Sequence, residues 1–335
     1  MRFAVKLLVS VLILAILVGG GVAYWIGAFS KRPLELSTAP LEFSIRPGSS
    51  LKTASRDLAA AGVRMQPWQF ELLARAMGKS SELKAGTYLL TAGTTPVELL
   101  DKITRGEVLM SEAAFIEGWT FRQMRNALDT NAAVKHETAG LSDAEVMRRI
   151  GAAGTHPEGR FFPDTYRFAK GTSDLDILRR ANQQMDRNLT AAWADRDPSS
   201  PLKTPYDALI LASIVEKETG LPSDRGRVAA VFVNRLRAGM LLQTDPTIIY
   251  GLGDKFDGNL RKRDLTTDGP YNTYTRPGLP PTPISMPGLA SLQSAVRPAS
   301  SDALYFVARG DGSSVFSRTL DEHNRAVAKY QKGGR

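Results

Sequence analysis

The chain opens on one long apolar run and then changes its hydrophobic period several times. Leu7 to Phe29 carries no charge and is apolar apart from Ser10 and the Gly19 to Gly21 cluster. At 1.5 Å per residue, such a run crosses a ~30 Å hydrocarbon core. Tyr24 and Trp25 fall near one end, where amphipathic rings prefer the interface. The run exceeds the ~7–15 residues of a signal-peptide core and no small-x-small site follows, so a spanning helix is expected over a cleaved leader. Pro33 to Pro40 reads as a tether.

From Leu41 the period shortens. Phe43 and Ile45 alternate with polar residues, as in a strand, and stop at Pro47-Gly48. Leu51, Ala54, Leu58 and Ala61 recur at helical spacing and end at Gly62. A second helix opens at Pro67, shows Phe70, Leu73, Ala74 and Met77 on one face, and closes at Gly78. Gly86 to Thr91 reads as a returning strand. Thr95-Pro96 then offers an N-cap and first-turn proline for a helix that Gly106 stops. Strand, helix, helix, strand resembles the order of small glycan-binding LysM modules, although many α+β units share it.

Beyond this module, Thr120-x-x-Gln123 forms a capping box, and Leu141 to Ile150 and Leu175 to Leu189 are helical in pattern. Pro157 to Phe168 is too dense in aromatic, proline and charged residues for a core helix. Asp195 to Thr204 is a loop. The most apolar helix follows, with Thr204 as N-cap, Pro205 in its first turn and Gly220 past its end. Ser223 can cap the next helix, whose face is Val228, Val231, Phe232 and Leu236. Leu241 to Pro298 is rich in Pro, Gly, Thr and Asn, and Gln243 to Tyr250 and Tyr271 to Pro281 read as long irregular loops. A hairpin over Leu304 to Phe316 precedes a last helix, Leu320 to Tyr330, and a frayed tail, Lys332 to Arg335.

Composition narrows the chemistry. There are no cysteines, which excludes disulfides, thiolate metal sites and cysteine nucleophiles. The three histidines, His136, His156 and His323, lack metal-motif spacing, so no metal or other cofactor is expected. His323 reads as a surface residue. The formal net charge is +9; the first 32 residues supply four cations and no acid, leaving +5 on the rest. A mildly basic body suits anionic surroundings, but no nucleic-acid-binding motif is present. Arg2 and Lys6 before the apolar run balance Lys31 and Arg32 after it, and the short N-terminal tail argues for N-in.

Glu216 and Glu218 end the apolar run Ala208 to Val215. A carboxyl buried there has its pKa raised, and a protonated acid beside a glycosidic oxygen suits sugar cleavage. The two glutamates sit about 200° apart on a helix, and both have apolar residues three and four positions earlier, so periodicity does not choose between them. A solvated helix end is the plain alternative for either. Tyr250 and Tyr274 can stack on sugar rings or serve as core with a tethered hydroxyl. No Gly-rich phosphate loop and no G-x-S-x-G elbow is present.

Several motifs, in order, carry a resemblance. They are E-G-W-T at 117–120, E-G-R-F-F-P-D-T-Y-R-F at 158–168, A-S-I-V-E-K-E-T at 212–219 and N-R-L-x-x-G-M-x-L-Q-T-D-P-T-I-I-Y-G at 234–251. Y-N-T-Y-x-R-x-G-L-P-P-x-P-I-S at 271–285 and F-S-x-T-L-x-E-H-N at 316–324 complete the set. Together they resemble the endolytic murein transglycosylases, the YceG-like family. The resemblance implies an α+β fold with one N-terminal transmembrane helix, a small LysM-like module and a larger catalytic domain. The expected boundaries are 1–32 for the cytoplasmic tail and span, 33–40 for the tether, 41–110 for the module and 111–335 for a linker segment with the catalytic domain. It implies an inner-membrane protein, single-pass and N-in, that cuts peptidoglycan between N-acetylmuramic acid and N-acetylglucosamine and leaves 1,6-anhydro ends. Peptidoglycan strands, the bilayer, and wall synthases and division proteins are its implied partners.

By this resemblance the catalytic glutamate is Glu216 and not Glu218; in the mechanism it implies, Gln243, Asp245, Asn272 and Tyr274 of the polar loops are the expected substrate-binding groups. Ser314 stands where the family often has histidine. One carboxyl suffices if the muramic acid's own 6-hydroxyl is the nucleophile. A hydrolase would need a second, and Asp245 is the candidate. A non-catalytic glycan-binding scaffold is the alternative of a different class.

Overall fold

The computed structural model describes residues 2–331; the expected frayed tail, Lys332 to Arg335, lies outside them. The chain forms two compact units, Met1–Ser111 with Arg167–Thr172, and Glu112–Tyr166 with Ser173–Arg335. Each has its own elements and core.

The first unit begins with α1 (Arg2–Lys31), whose stretch Val5–Lys31 is long and apolar enough to cross a membrane. Next come β1 (Glu35–Leu36), β2 (Leu41–Ile45), α2 (Leu51–Ala61), β3 (Val63–Arg64), α3 (Pro67–Ala76), β4 (Gly86–Leu90) and α4 (Pro96–Arg105). The strand–helix–helix–strand order is present, and β2 pairs antiparallel with β4, Phe43 opposite Tyr88. Leu41, Phe43 and Ile45 point inward while Glu42 and Ser44 face out, so a one-residue slip would invert the strand. Helix ends follow the sequence signals. Gly62 and Gly106 adopt the left-handed conformation past α2 and α4, and Thr95 and Glu98 form a capping box.

One expectation is corrected here. Pro33 to Pro40 is not a free tether. β1 pairs with β3, and the backbone N–H groups of Leu34 and Ser37 donate to Thr94 and Gly62. Ile26 and Phe29 of α1 pack directly against the core of this unit, which is built on Phe70, Leu58, Tyr88 and Leu100.

Strands β5 (Met110–Ala114) and β6 (Thr165–Ala169) pair with each other, and the boundary between the units falls within both. The second unit holds α5 (Phe121–Asp129), α6 (Asp143–Ile150), α7 (Asp174–Ala194), α8 (Pro205–Glu218), α9 (Pro222–Arg237), α10 (Asp245–Leu252), α11 (Lys262–Thr266) and α12 (Leu289–Val296). A hairpin of β7 (Tyr305–Ala308) and β8 (Ser314–Ser317) and then α13 (Leu320–Tyr330) complete it. α8 lies at the centre, with every residue from Ala208 to Val215 buried and α7, α9, α10 and α12 packed around it. A helix apolar all round belongs in the middle of a core.

Three readings change. α7 runs five residues past Leu189. Ser223 does not cap α9, which starts at Pro222 after Leu221, so the serine lies inside the first turn. Asp245-Pro246, read within a loop, instead opens α10, because a proline at the first helical turn loses no hydrogen bond.

Tyr88 tests the first unit's core. Its ring is fully buried and its hydroxyl donates to the carbonyls of Lys84 and Ile103. Tyr88→Phe is expected to cost about 1–3 kcal/mol by removing the donor to the Lys84 carbonyl, while the Ile103 carbonyl keeps the N–H groups of Lys84 and Gly106. Phe70→Ala should cost more, about 3–5 kcal/mol, through an unfilled cavity. Denaturant unfolding of the full chain in detergent would rank the two.

Candidate functional site

The end of α8 carries both glutamates, and the fold sends them to different places. Glu216 Oε2 accepts from the Gly288 N–H at 3.0 Å and from Ser291 Oγ at 2.7 Å. Gly288 is the N-cap of α12, whose side chain offers no cap. Glu216 therefore supplies the missing cap from another helix, where a carboxylate also complements the positive helix end. Glu117 lies alongside. A Cβ built on Gly288 would meet its Oε1 at 1.8 Å, so only glycine lets that carboxyl sit there. Burial raises the pKa of Glu117, and the charge of Glu216 adds to the rise, while Arg225 opposes it.

Glu218 faces a cleft of about 600 Å³ whose lining includes Gln243, Asp245, Tyr274, Arg235 and His323. The residue stays partly open to the cleft, yet its carboxyl is densely surrounded by protein. It accepts from the Thr244 hydroxyl. Burial pushes its pKa up to about 7; the nearby Asp245 charge adds to the rise, whereas the Thr244 bond and Arg235 oppose it. Glu216 and Glu218 are both half-buried, and Glu216 does not line this cleft.

The floor of the cleft is held by a dense polar lattice. Gln243 adopts φ 50°, the one left-handed non-glycine among the described residues. Such a conformation is unfavourable for a residue with a Cβ and persists only where surrounding contacts enforce it. Here the Gln243 N–H donates to the Thr273 carbonyl, the Thr244 N–H to Thr273 Oγ1, and Thr247 and Thr273 hydroxyls bond at 3.0 Å. The Tyr274 hydroxyl donates to Asp245 at 2.6 Å, and burial raises the pKa of Tyr274. Arg235 donates to the carbonyls of Leu304, Leu241 and Leu242, fixing the wall.

The sequence-derived binding groups divide. Gln243, Asp245 and Tyr274 line the cleft with Glu218. Asn272 does not. It is buried, its amide donates to the carbonyls of Asp264, Leu265 and Thr267, and its oxygen accepts from the Tyr274 N–H. It shapes the loop that presents Tyr274. His323 is a further correction: it is half-buried, stacks on Tyr305 at 5.3 Å and lines the cleft. Burial, with Arg235 nearby, lowers its pKa. Ser314, in the family histidine's place, also lines the cleft, and its N–H donates to Asp224.

Another acidic group escaped the sequence reading. Glu158, buried to 4% exposure, accepts from the Phe121 N–H and the Tyr250 hydroxyl, and burial lifts its pKa to about 7. It walls a separate cavity of about 740 Å³ with Tyr250, Phe121 and Lys217. Tyr250 is thus a tethered ring, in edge contact with Tyr271 at 5.0 Å. The aromatic and proline density of 157–168 marked the segment, but no spacing singled out its glutamate. Gly159 permits the approach: at φ 77° a Cβ would meet Pro283 at 2.5 Å.

Asp129, His136 and Asp174 bring three ligand atoms within 4.8 Å of one another. The Asp174 oxygens already accept from the N–H groups of Glu137 and Thr138 and from the Thr138 hydroxyl. That bonding makes the group a clamp at the start of α7.

A model of the YceG-like family matches residues 43–329. An endolytic murein transglycosylase of Bacillus subtilis is 31% identical over 333 residues, covering 94% of this chain and 91% of that protein. One of Streptococcus pneumoniae serotype 2 is 27% identical over 366 residues, covering 98% of this chain and 65% of that protein. The crystal structure of a yceG-like protein of Listeria monocytogenes matches with a TM-score of 0.54 at 30% identity, covering 86% of this chain and 99% of that one.

Glu218 makes stability depend on pH. A carboxyl with a raised folded pKa favours the fold below its unfolded value of 4.5, and that contribution is lost as pH rises through about 7. Glu218→Gln removes the buried charge. The variant's melting temperature, relative to the parent, should therefore rise more at pH 8 than at pH 5. An equal difference at both pH values would place the carboxyl in a wetter setting.

Proposed function

The chain belongs to the YceG-like family, and from that membership we propose that it is a peptidoglycan lytic transglycosylase; the resemblance assigns its acid to Glu216, whereas the cleft geometry favours Glu218. The observation that carries the reading is the Glu218 carboxyl, held protonable near neutral pH inside a polar cleft. A general acid works best with its pKa near the working pH. The Bacillus and Streptococcus relatives are named endolytic murein transglycosylases, which supplies the substrate class.

In this proposal Glu218 protonates the oxygen linking N-acetylmuramic acid to N-acetylglucosamine, and that C–O bond breaks. The muramic acid 6-hydroxyl then attacks the anomeric carbon and gives its proton to the same carboxylate. The new C–O bond closes a 1,6-anhydro ring, and no water is consumed. An internal nucleophile has part of its entropic cost already met. Gln243 and Tyr274, which line the cleft with Glu218, would hold the sugar's acetamido groups. Cutting within nascent strands would set their length. The helix α1 anchors the body outside the cytoplasm, with its N-terminus in, and the first unit's strand–helix–helix–strand module serves as a LysM-like glycan holder.

Glu216 is the competing assignment that the motif resemblance favours. Its carboxylate is engaged by Gly288 and Ser291, which supports a structural role instead. Asp245 beside Glu218 favours a second reading, hydrolysis by water with two carboxylates.

Digestion of purified peptidoglycan, with products weighed by mass spectrometry, separates these readings. Anhydro products, lighter by one water than hydrolysis products, are expected; reducing ends would overturn ring closure in favour of hydrolysis by water. Glu218→Gln should lose roughly a hundred- to ten-thousand-fold in rate. Glu216→Gln keeps both acceptor bonds and should lose about 1 kcal/mol, or less than about tenfold. The opposite ranking would return the acid to Glu216. Activity of the parent should fall as pH rises through about 7, as Glu218 loses its proton.

A further inference from the structure

An aromatic stack joins α1 to α3 inside the first unit. The Trp25 ring stacks on Phe29 at 5.2 Å and on Trp68 at 5.2 Å, with a 19° angle between the two indoles. Trp68 nevertheless remains 55% exposed. An indole this open, with an apolar body and a polar N–H, suits a membrane–water interface.

The depth of Trp25 in a bilayer follows from helix geometry. The apolar stretch Val5–Lys31 is 27 residues long, about 40 Å, which matches a bilayer including its headgroup layers. With Lys31 and Arg32 at the aqueous edge, Trp25 lies about 9 Å inward along the helix. That level is the boundary between headgroups and hydrocarbon, where indoles prefer to sit. Trp68 is stacked on Trp25 and shares its depth. Ile26 and Phe29 pack against the unit's core, so the helix and the unit are joined by packing and not by a loose linker.

We infer that the first unit docks on the phospholipid surface, with Trp68 of α3 inserted into the interface beside α1 as a second anchor. The charge around the foot of the helix fits anionic headgroups. Lys31, Arg32 and Arg64 are exposed there; Glu35 pairs with Arg32 at 3.7 Å and lies opposite Arg64 in the β1–β3 pair, and Glu71 of α3 pairs with Arg75. Cations next to a span gain from an anionic leaflet.

This docking rests on α1 being the membrane span, and the test keeps the two apart. The full chain is reconstituted in liposomes containing anionic phospholipid, with Trp25, Trp119 and Trp193 replaced by Phe so that Trp68 alone emits. Flotation with the liposomes and resistance to carbonate extraction report the span. Docking predicts a blue-shifted Trp68 emission that loses most of its intensity to lipids brominated near the headgroup. It also predicts less quenching by deeply brominated lipids and little by iodide. Chains that float yet show Trp68 quenched by iodide and untouched by bromine would overturn the docking while leaving the span intact. Chains that fail to float would overturn both.

Discussion

Helix α8 cannot turn about its axis without exposing apolar surface, because Ala208 to Val215 are buried on every side. Ser213 adds two hydrogen bonds to the neighbouring segment: its Oγ accepts from the Ile284 N–H, and its carbonyl accepts from Ser285 Oγ. With the rotation fixed, the last turn has no choice about where its acids go. Two positions apart is about 200° of helix, so Glu216 and Glu218 leave on opposite sides. Every feature of the candidate cleft inherits its position from this packing.

The two acids sit in different settings because their neighbours differ. Glu216 meets two donors at a helix start, an arrangement that suits a carboxylate and holds α12 to α8. Glu218 meets a single hydroxyl, a second carboxylate and close-packed protein. The second setting penalises charge, because burial raises the pKa of Glu218. A short sequence thereby holds two acids in unlike settings only two residues apart.

Much of the fold is legible in the sequence because its signals are local. Thr95 with Glu98, Thr120 with Gln123, and the glycines after α2 and α4 act within one helical turn of themselves. The cleft is less legible because its decisive facts are tertiary. Periodicity could not separate Glu216 from Glu218, since both follow apolar residues at the same spacing. Asp245-Pro246 signals a turn and a helix start equally well, and only packing selects the helix. His323 is half-buried by Tyr305, which lies on a different element. Asn272 carries the chemistry of a sugar ligand, but three backbone carbonyls from 264–267 occupy its amide.

The paired strands β5 and β6 give the chain an unusual accounting of its own parts. The first unit claims Arg167–Thr172 from the middle of the second, so the polypeptide crosses the boundary three times: outward near Ser111, back near Arg167 and outward again after Thr172. A module joined by one crossing can be copied, moved or lost as a continuous cassette. This one cannot, because a break at Ser111 strands a segment that the first unit needs for its completion. Each unit is therefore built from two separate stretches of chain, and neither can be cut out as one continuous segment.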